Sequence, residues 1–318
     1  MPAERNHQWD NIKFALIFLV ITAHGMELFL AGKVLALYKV VYSFHMPAFI
    51  FVTGKFARFD RAKVAKHLIL PYFVFQTLYL VFDAKVLSGS EITLQYTTPY
   101  WILWYLFAII VYYLLLPVLP EKGSKASCIL LAASVAVALL AGFEKTLGYF
   151  MSLSRIVVFA PFFLWGYYDD ALRERIKEKA TGRVCEITTV VISALAVIAG
   201  ECYIIKAAVP AGLLYGSNSY AACKSTILAR AIAMITAAAW IVLIKRVVPK
   251  KEIPIISALG QNTLPVFLIH GFVMRLAKYY HIFHYSQKLN FLLACILALV
   301  LILALGNKYV GKAFRKLF

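Results

Sequence analysis

Residues 13–27 read KFALIFLVITAHGME, an apolar run that contains a lysine, a histidine and a glutamate. The next apolar run, residues 42–54, reads YSFHMPAFIFVTG and contains a second histidine. Ionisable side chains are costly within a bilayer, so those that occur there face the interior of a helix bundle or a wet cavity and indicate function. The two runs therefore predict membrane-spanning helices whose polar side chains form a functional site.

The composition is that of an integral membrane protein and excludes a soluble domain. Of the 318 residues, 62% are hydrophobic and 15% are charged. Backbone that faces lipid must satisfy its own hydrogen bonds, so long apolar runs are expected to be helices. Such runs lie near residues 11–31, 35–54, 67–83, 100–119, 125–142, 150–168, 184–206, 222–244, 263–281 and 289–307. We predict an all-α polytopic protein with about ten transmembrane helices, forming a single integral-membrane domain over residues 1–318.

The distribution of Lys and Arg predicts the orientation of the chain in the membrane. Basic residues concentrate in the loops after the second, sixth and eighth predicted spans and in the C-terminal tail, within residues 55–66, 173–183, 245–251 and 308–316. Because cytoplasmic loops are enriched in Lys and Arg, both termini are predicted to be cytoplasmic in a multi-pass protein of the cell (plasma or inner) membrane. The net charge of +18 indicates anionic membrane lipids and a polyanionic substrate as partners, and no nucleic acid is expected.

No metal site and no tightly bound cofactor are expected. The five cysteines have no metal-ligand spacing and lie mostly within apolar segments, where we interpret them as small core residues. His281 and His284 stand among tyrosines near the end of a predicted span, which is typical of an interfacial aromatic cluster.

Lys13, His24 and Glu27 share one face of the first predicted helix. Lys13 and His24 are eleven residues apart, which is about three turns or roughly 16 Å along the axis. This places Lys13 at the cytoplasmic mouth and His24 in the outer half of the membrane. Glu27 follows His24 by three residues and can hydrogen-bond one ring nitrogen. A histidine oriented by a carboxylate is a general-base arrangement; the alternative is a buried pair that holds two helices together.

Polar residues in later spans have both a functional and a structural interpretation. Pro47 removes a backbone donor and can open space in the second helix, where His45 either contacts a ligand or bonds a freed carbonyl. Arg155, near the outer end of the sixth span, either contacts an acceptor or extends to the interface. Glu201 lies near the end of its span, so we expect it to be solvated.

Several motifs together resemble the integral-membrane acyltransferase-3 family. Lys13 to His24 resembles the family's Arg-x10-His element, with Lys in place of Arg, and residues 44–54 (FHMPAFIFVTG) resemble its second-span motif. Further similar segments are residues 70–72 (LPY), 101–106 (WILWYL), Arg155 with 161–166 (PFFLWG), and 260–271 (GQNTLPVFLIHG). The last two are similar to the sugar O-acetylase branch, typified by fucose 4-O-acetylases.

The resemblance implies transfer of an acetyl-type group from cytoplasmic acyl-CoA, a co-substrate, to a hydroxyl of a carbohydrate or lipid-linked glycan. The family's histidine corresponds to His24, with Glu27 as its orienting carboxylate, and the family's cation corresponds to Lys13. Arg58 and Arg61, in a basic loop, are further candidates for contact with the CoA phosphates. Candidate acceptor contacts are Tyr42, His45, Trp104, Arg155, Asn262 and His270.

A proton-coupled transporter of small solutes is the alternative hypothesis. It would use the buried His24, Glu27 and His45 as proton carriers, and a helix interrupted at Pro47 suits a transporter as well as an enzyme. The sequence contains no detectable inverted repeat, which favours the enzyme.

Overall fold

The computed structural model describes residues 6–146, 148–177 and 183–318. Among these residues the regular secondary structure is helical, and there is no strand. The all-α prediction is therefore confirmed. Lys179, which belongs to one of the predicted basic loops, lies outside the described residues.

The longer helices overlap the predicted apolar runs, and shorter helices lie between or after those runs. They are α1 Gln8–Met26, α2 Gly32–Phe56, α3 Arg61–Val64, α4 Leu70–Phe82, α5 Trp104–Leu115, α6 Lys125–Leu140, α7 Leu153–Lys177, α8 Arg183–Lys206, α9 Ala211–Leu214, α10 Tyr220–Cys223, α11 Ile227–Val247, α12 Pro254–Gly260, α13 Thr263–Tyr279, α14 Gln287–Leu305 and α15 Lys308–Leu317. Two π-helical stretches, Ala65–Ile69 and Asp83–Ser88, make α3 and α4 part of one continuous span.

Six helices within the described residues are long and apolar enough to cross a membrane. They are Gly32–Phe56, Arg61–Ser88, Phe150–Arg175, Cys185–Lys206, Ile227–Val247 and Gln287–Leu305. A bent pair, α12 and α13, meets at 77° and would make a seventh span. Polar residues lower the hydropathy of α1, which is not among them. The polytopic membrane class is confirmed, whereas about ten spans and cytoplasmic termini stay predictions.

The chain divides into two compact units. Unit 1 comprises residues 1–41, 73–95 and 244–318, and unit 2 comprises residues 42–72 and 96–243. The prediction of a single domain over the whole chain stays a prediction.

Helix α1 forms the centre of unit 1, where it packs against α12, α13 and α14. Ile12, Leu16, Ile17, Val20 and Ile21 are almost completely buried. These side chains lie on one broad face of α1, whereas Ala15 on the opposite side is exposed, so the helix is buried on that broad face. The polar side chains on that face therefore need partners within the unit.

Unit 2 contains a close crossing between α2 and α7. A Cβ atom added at Gly54 would lie 2.1 Å from the carbonyl oxygen of Phe163, and one added at Gly166 would lie 2.0 Å from that of Phe51. Both glycines belong to motifs singled out in the sequence. Small residues at such crossings let helix backbones approach closely, so these two glycines set the distance between α2 and α7. Helix α2 continues through Pro47.

Candidate functional site

The first polar cluster lies in unit 1, where His24 and Glu27 meet as predicted. His24 Nδ1 is 3.2 Å from Glu27 Oε1, near the end of α1. The same carboxylate oxygen accepts a hydrogen bond of 2.9 Å from the hydroxyl of Tyr38, whose side chain is fully buried. The side chains of His24 and Glu27 keep 13% and 24% of their exposure. The carboxylate is therefore held between a buried phenol and a partly exposed imidazole.

His270 joins this cluster from α13. Its ring stacks on that of His24 with centroids 5.5 Å apart and planes 24° apart. His270 Nδ1 lies 2.7 Å from the carbonyl oxygen of Phe267, and a carbonyl can only accept. His270 therefore carries its proton on Nδ1, which leaves an acceptor lone pair on Nε2. That Nε2 atom is buried and has no hydrogen-bonding partner among the described residues.

The same reasoning assigns the basic nitrogen of His24. An ionised Glu27 accepts hydrogen bonds only, so His24 donates through Nδ1. The lone pair of the neutral ring is then on Nε2, which is the atom able to take a proton. A carboxylate in this position stabilises the imidazolium whenever the ring is protonated.

Lys13 lies in a separate polar cluster at the start of α1. Its Nζ is 3.0 Å from Asp10 Oδ1, and His7 Nδ1 is 3.9 Å from the other carboxylate oxygen. Next to it on α1, the Asn11 amide donates to the carbonyls of Pro249 and Lys251. These bonds hold the loop 248–253 against the start of α1.

Asn262 lies at the break between α12 and α13. Its Oδ1 accepts a 2.9 Å hydrogen bond from Arg315 Nη1 of α15. A Cβ atom at Gly311 would lie 2.1 Å from that oxygen. The side chain therefore connects the break to the C-terminal helix, and its predicted role in substrate binding stays a prediction.

In unit 2, four predicted acceptor contacts form one connected cluster. The rings of Tyr42 and His45 are in edge contact at 4.7 Å, and Tyr42 also contacts Tyr215 at 5.1 Å. Arg155 Nε donates to the carbonyl oxygen of Tyr215 at 3.3 Å, and its guanidinium lies 5.0 Å from the ring of Trp104. Tyr215, which the sequence analysis did not select, therefore links the pair Tyr42–His45 to the pair Trp104–Arg155.

Glu201 is buried, so the expectation that it is solvated is wrong. The residue keeps only 8% of its exposure. Its Oε1 accepts hydrogen bonds from Ser43 Oγ at 2.5 Å and from Trp240 Nε1 at 2.9 Å. The sequence carries one signal for it, an ionisable residue within an apolar run, but a position near the end of the run is equally compatible with water.

The basic loop after α2 contributes a fourth cluster, also in unit 2. Arg58 and Arg61 are exposed, and Arg58 lies near Lys122 of the loop before α6. Burial lowers the pKa of Lys122, and the charges of Lys55 and Arg58 lower it further, although Asp170 acts in the opposite direction. Lys122, which the sequence analysis missed, therefore lies among positive charges, and a bound anion would offset their mutual repulsion.

A metal centre is not indicated by the geometry. Across residues 6–146, 148–177 and 183–318, no group of three or more His, Cys, Asp or Glu side chains is arranged to hold a metal ion.

The apolar helices define a multi-pass membrane protein. Residues 6–306 match the acyltransferase-3 family, described as an acyltransferase domain. The match spans nearly the whole chain, which therefore belongs to this family. Comparison with curated proteins and with solved structures found no match. The resemblance to the family is confirmed and supports a membrane acyltransferase, whereas the sugar O-acetylase branch stays a prediction.

Proposed function

We propose that the protein is a membrane O-acyltransferase that moves an acetyl-type group from acyl-CoA to a carbohydrate hydroxyl. The observation that carries the proposal is the His24–Glu27–Tyr38 chain, in which a partly accessible imidazole is oriented by a carboxylate that a buried phenol holds in place. Membership of an acyltransferase family favours this function over a proton-coupled transporter.

In the proposed reaction, His24 is the general base. Its Nε2 takes the proton of the acceptor hydroxyl while the oxygen attacks the thioester carbonyl. A C–O bond forms, the C–S bond breaks, and the imidazolium returns the proton to the departing thiolate to give free CoA. Glu27 stabilises the imidazolium, and general-base catalysis of this kind contributes about 10²–10⁴-fold to the rate. His270 presents an acceptor atom beside this ring and is proposed to contact the substrate.

The donor is proposed to enter from the basic side of the membrane. Lys13 is the candidate contact for CoA phosphates in unit 1, and Arg58 and Arg61 are the candidates in unit 2. Lys122 joins them because it lies near Arg58. Lys carries the charge that phosphates need, although it lacks the bidentate geometry of Arg.

The acceptor is proposed to be a cell-surface glycan or a lipid-linked glycan precursor, in the plasma or inner membrane. The unit 2 cluster of Tyr42, His45, Trp104, Arg155 and Tyr215 combines aromatic rings with fixed polar groups. This is the composition that pockets for polyhydroxylated ligands need, because the rings cover the apolar faces and the polar groups fix orientation. Asn262, in unit 1, is proposed to contact the substrate.

The test is acetyl-CoA turnover by the purified protein in nanodiscs made from host membrane, measured as release of the CoA thiol. His24→Ala is expected to lower the rate by about 10²–10⁴-fold, with unchanged folding. His284→Ala, which removes an exposed histidine, is the matched control and is expected to keep the rate. A folded His24→Ala protein with near-normal turnover would overturn the assignment of the base.

A further inference from the structure

Glu201 has a hydrogen-bonding arrangement in which only one carboxylate oxygen is used. Oε1 accepts from Ser43 on α2 and from Trp240 on α11. Oε2 is buried and has no hydrogen-bonding partner among the described residues. A buried polar atom without a partner costs free energy comparable to a lost hydrogen bond. The second oxygen is therefore the unusual feature of this residue.

The groups that surround the Glu201 carboxylate are neutral and partly aromatic. Both donors to Oε1 are neutral, one a hydroxyl and one an indole N–H. The indole of Trp240 stacks on Phe44 with centroids 4.5 Å apart. Ser43 and Phe44 follow Tyr42 directly in α2 and precede His45, so the carboxylate is attached to the segment that carries two candidate acceptor contacts.

The packing beside Glu201 holds it rigidly. A Cβ atom at the preceding residue, Gly200, would lie 1.9 Å from Thr236 Oγ1, so α8 and α11 are in close contact there. Ser43 and Thr236 are themselves buried. A carboxylate fixed by two donors and by close helix packing keeps its second oxygen in one place, which is the condition for a specific hydrogen bond to a ligand.

We propose that Glu201 Oε2 accepts a hydrogen bond from a hydroxyl group of the carbohydrate acceptor. With Glu201 ionised, Oε2 can only accept, so the ligand must carry a donor, and a sugar supplies O–H donors in an environment of aromatic rings. This inference rests on the proposed function, because it assigns a residue to the acceptor site of the same reaction.

The first experiment measures binding and does not depend on turnover. Methyl α-L-fucoside, methyl β-D-glucoside and methyl β-D-galactoside are titrated into the purified protein, with intrinsic tryptophan fluorescence as the signal because Trp240 bonds to the same carboxylate. At least one glycoside is expected to bind the wild type, and its permethylated form, which has no O–H donor, is expected not to bind. Absence of binding by all three, or equal binding of the permethylated form, would overturn the proposal.

Variants then separate ligand binding from structural support. Glu201→Gln keeps an acceptor oxygen for Ser43 and Trp240 but replaces Oε2 by an amide NH₂, and it should weaken glycoside binding about tenfold. Ser43→Ala removes one donor to Oε1 and leaves Oε2 intact, so it should change binding by less than about threefold. Equal binding by Glu201→Gln and wild type, or an equal loss in Ser43→Ala, would mean that Glu201 only supports the helices or holds a water molecule.

Acetyl-CoA turnover is measured in parallel on the same preparations. Failure of the proposed acyltransferase function would appear as absence of CoA release by the wild type, whatever the glycosides do. Failure of the present inference would appear as the binding results named above, in a protein that still releases CoA. The two failures are therefore distinguishable.

Discussion

The crossing of α2 and α7 gives the sharpest prediction about stability. Gly54→Ala places a Cβ atom 2.1 Å from the carbonyl oxygen of Phe163. Reaching the shortest ordinary C···O separation, about 3.3 Å, requires the helices to move apart by about 1.2 Å. Overpacking of a rigid contact costs about 3 kcal/mol at the upper end of its usual range, and the better helix propensity of Ala returns about 1 kcal/mol. We expect a net loss of about 2 kcal/mol in the free energy of unfolding.

The assay is reversible denaturation of the purified protein in mixed micelles. Gly166→Ala should cost a similar amount, since its Cβ would lie 2.0 Å from the carbonyl oxygen of Phe51. Both substitutions are relieved by the same separation of the helices, so the double variant should lose less than the sum by at least about 0.5 kcal/mol. The control is Gly148→Ala, where the nearest atom is 4.0 Å away. Strict additivity of the two losses in the double variant, or stabilisation by Gly54→Ala or Gly166→Ala, would refute the reasoning.

Three further predictions concern the proposed reaction. Glu27→Gln preserves the shape of the side chain but removes the charge that stabilises the imidazolium, so the maximal rate should fall with little change in the apparent Michaelis constant for acyl-CoA; an unchanged rate at every pH would make Glu27 purely structural. Lys13→Ala should raise the Michaelis constant for acyl-CoA more than it lowers the maximal rate, and this effect should weaken as salt is added. Lys13→Arg should retain function. A normal acyl-CoA titration of Lys13→Ala would show that other cations bind the CoA phosphates. Burial and neighbouring cations lower the pKa of Lys122, and bound phosphate should raise it, so acyl-CoA affinity should fall as the pH rises through the pKa of Lys122. Lys122→Arg should flatten this pH dependence, measured by equilibrium binding. Identical pH profiles for the wild type and Lys122→Arg would exclude Lys122 from the donor site.

Several features could be predicted from the sequence because they depend only on local geometry. Apolar runs long enough to span a bilayer can satisfy their backbone only as helices, so the all-α class and the helix positions followed from composition and length. The contact between His24 and Glu27 followed as well, because residues three apart on a helix are neighbours whatever surrounds them. The glycines of the motifs were visible in the sequence, although their role at a helix crossing was not.

Contacts between distant segments were decided only by the tertiary structure. Nothing in the periodicity of α1 indicates that Tyr38 bonds to Glu27 or that His270 stacks on His24, because these pairs join different helices. The same holds for Tyr215, which links Tyr42 to Arg155. Glu201 shows the limit most clearly: an ionisable residue near the end of an apolar run is equally compatible with water and with burial. Only the packing of α8 against the helices that carry Ser43 and Trp240 determines which environment it has, since burial depends on neighbours that the local sequence does not specify.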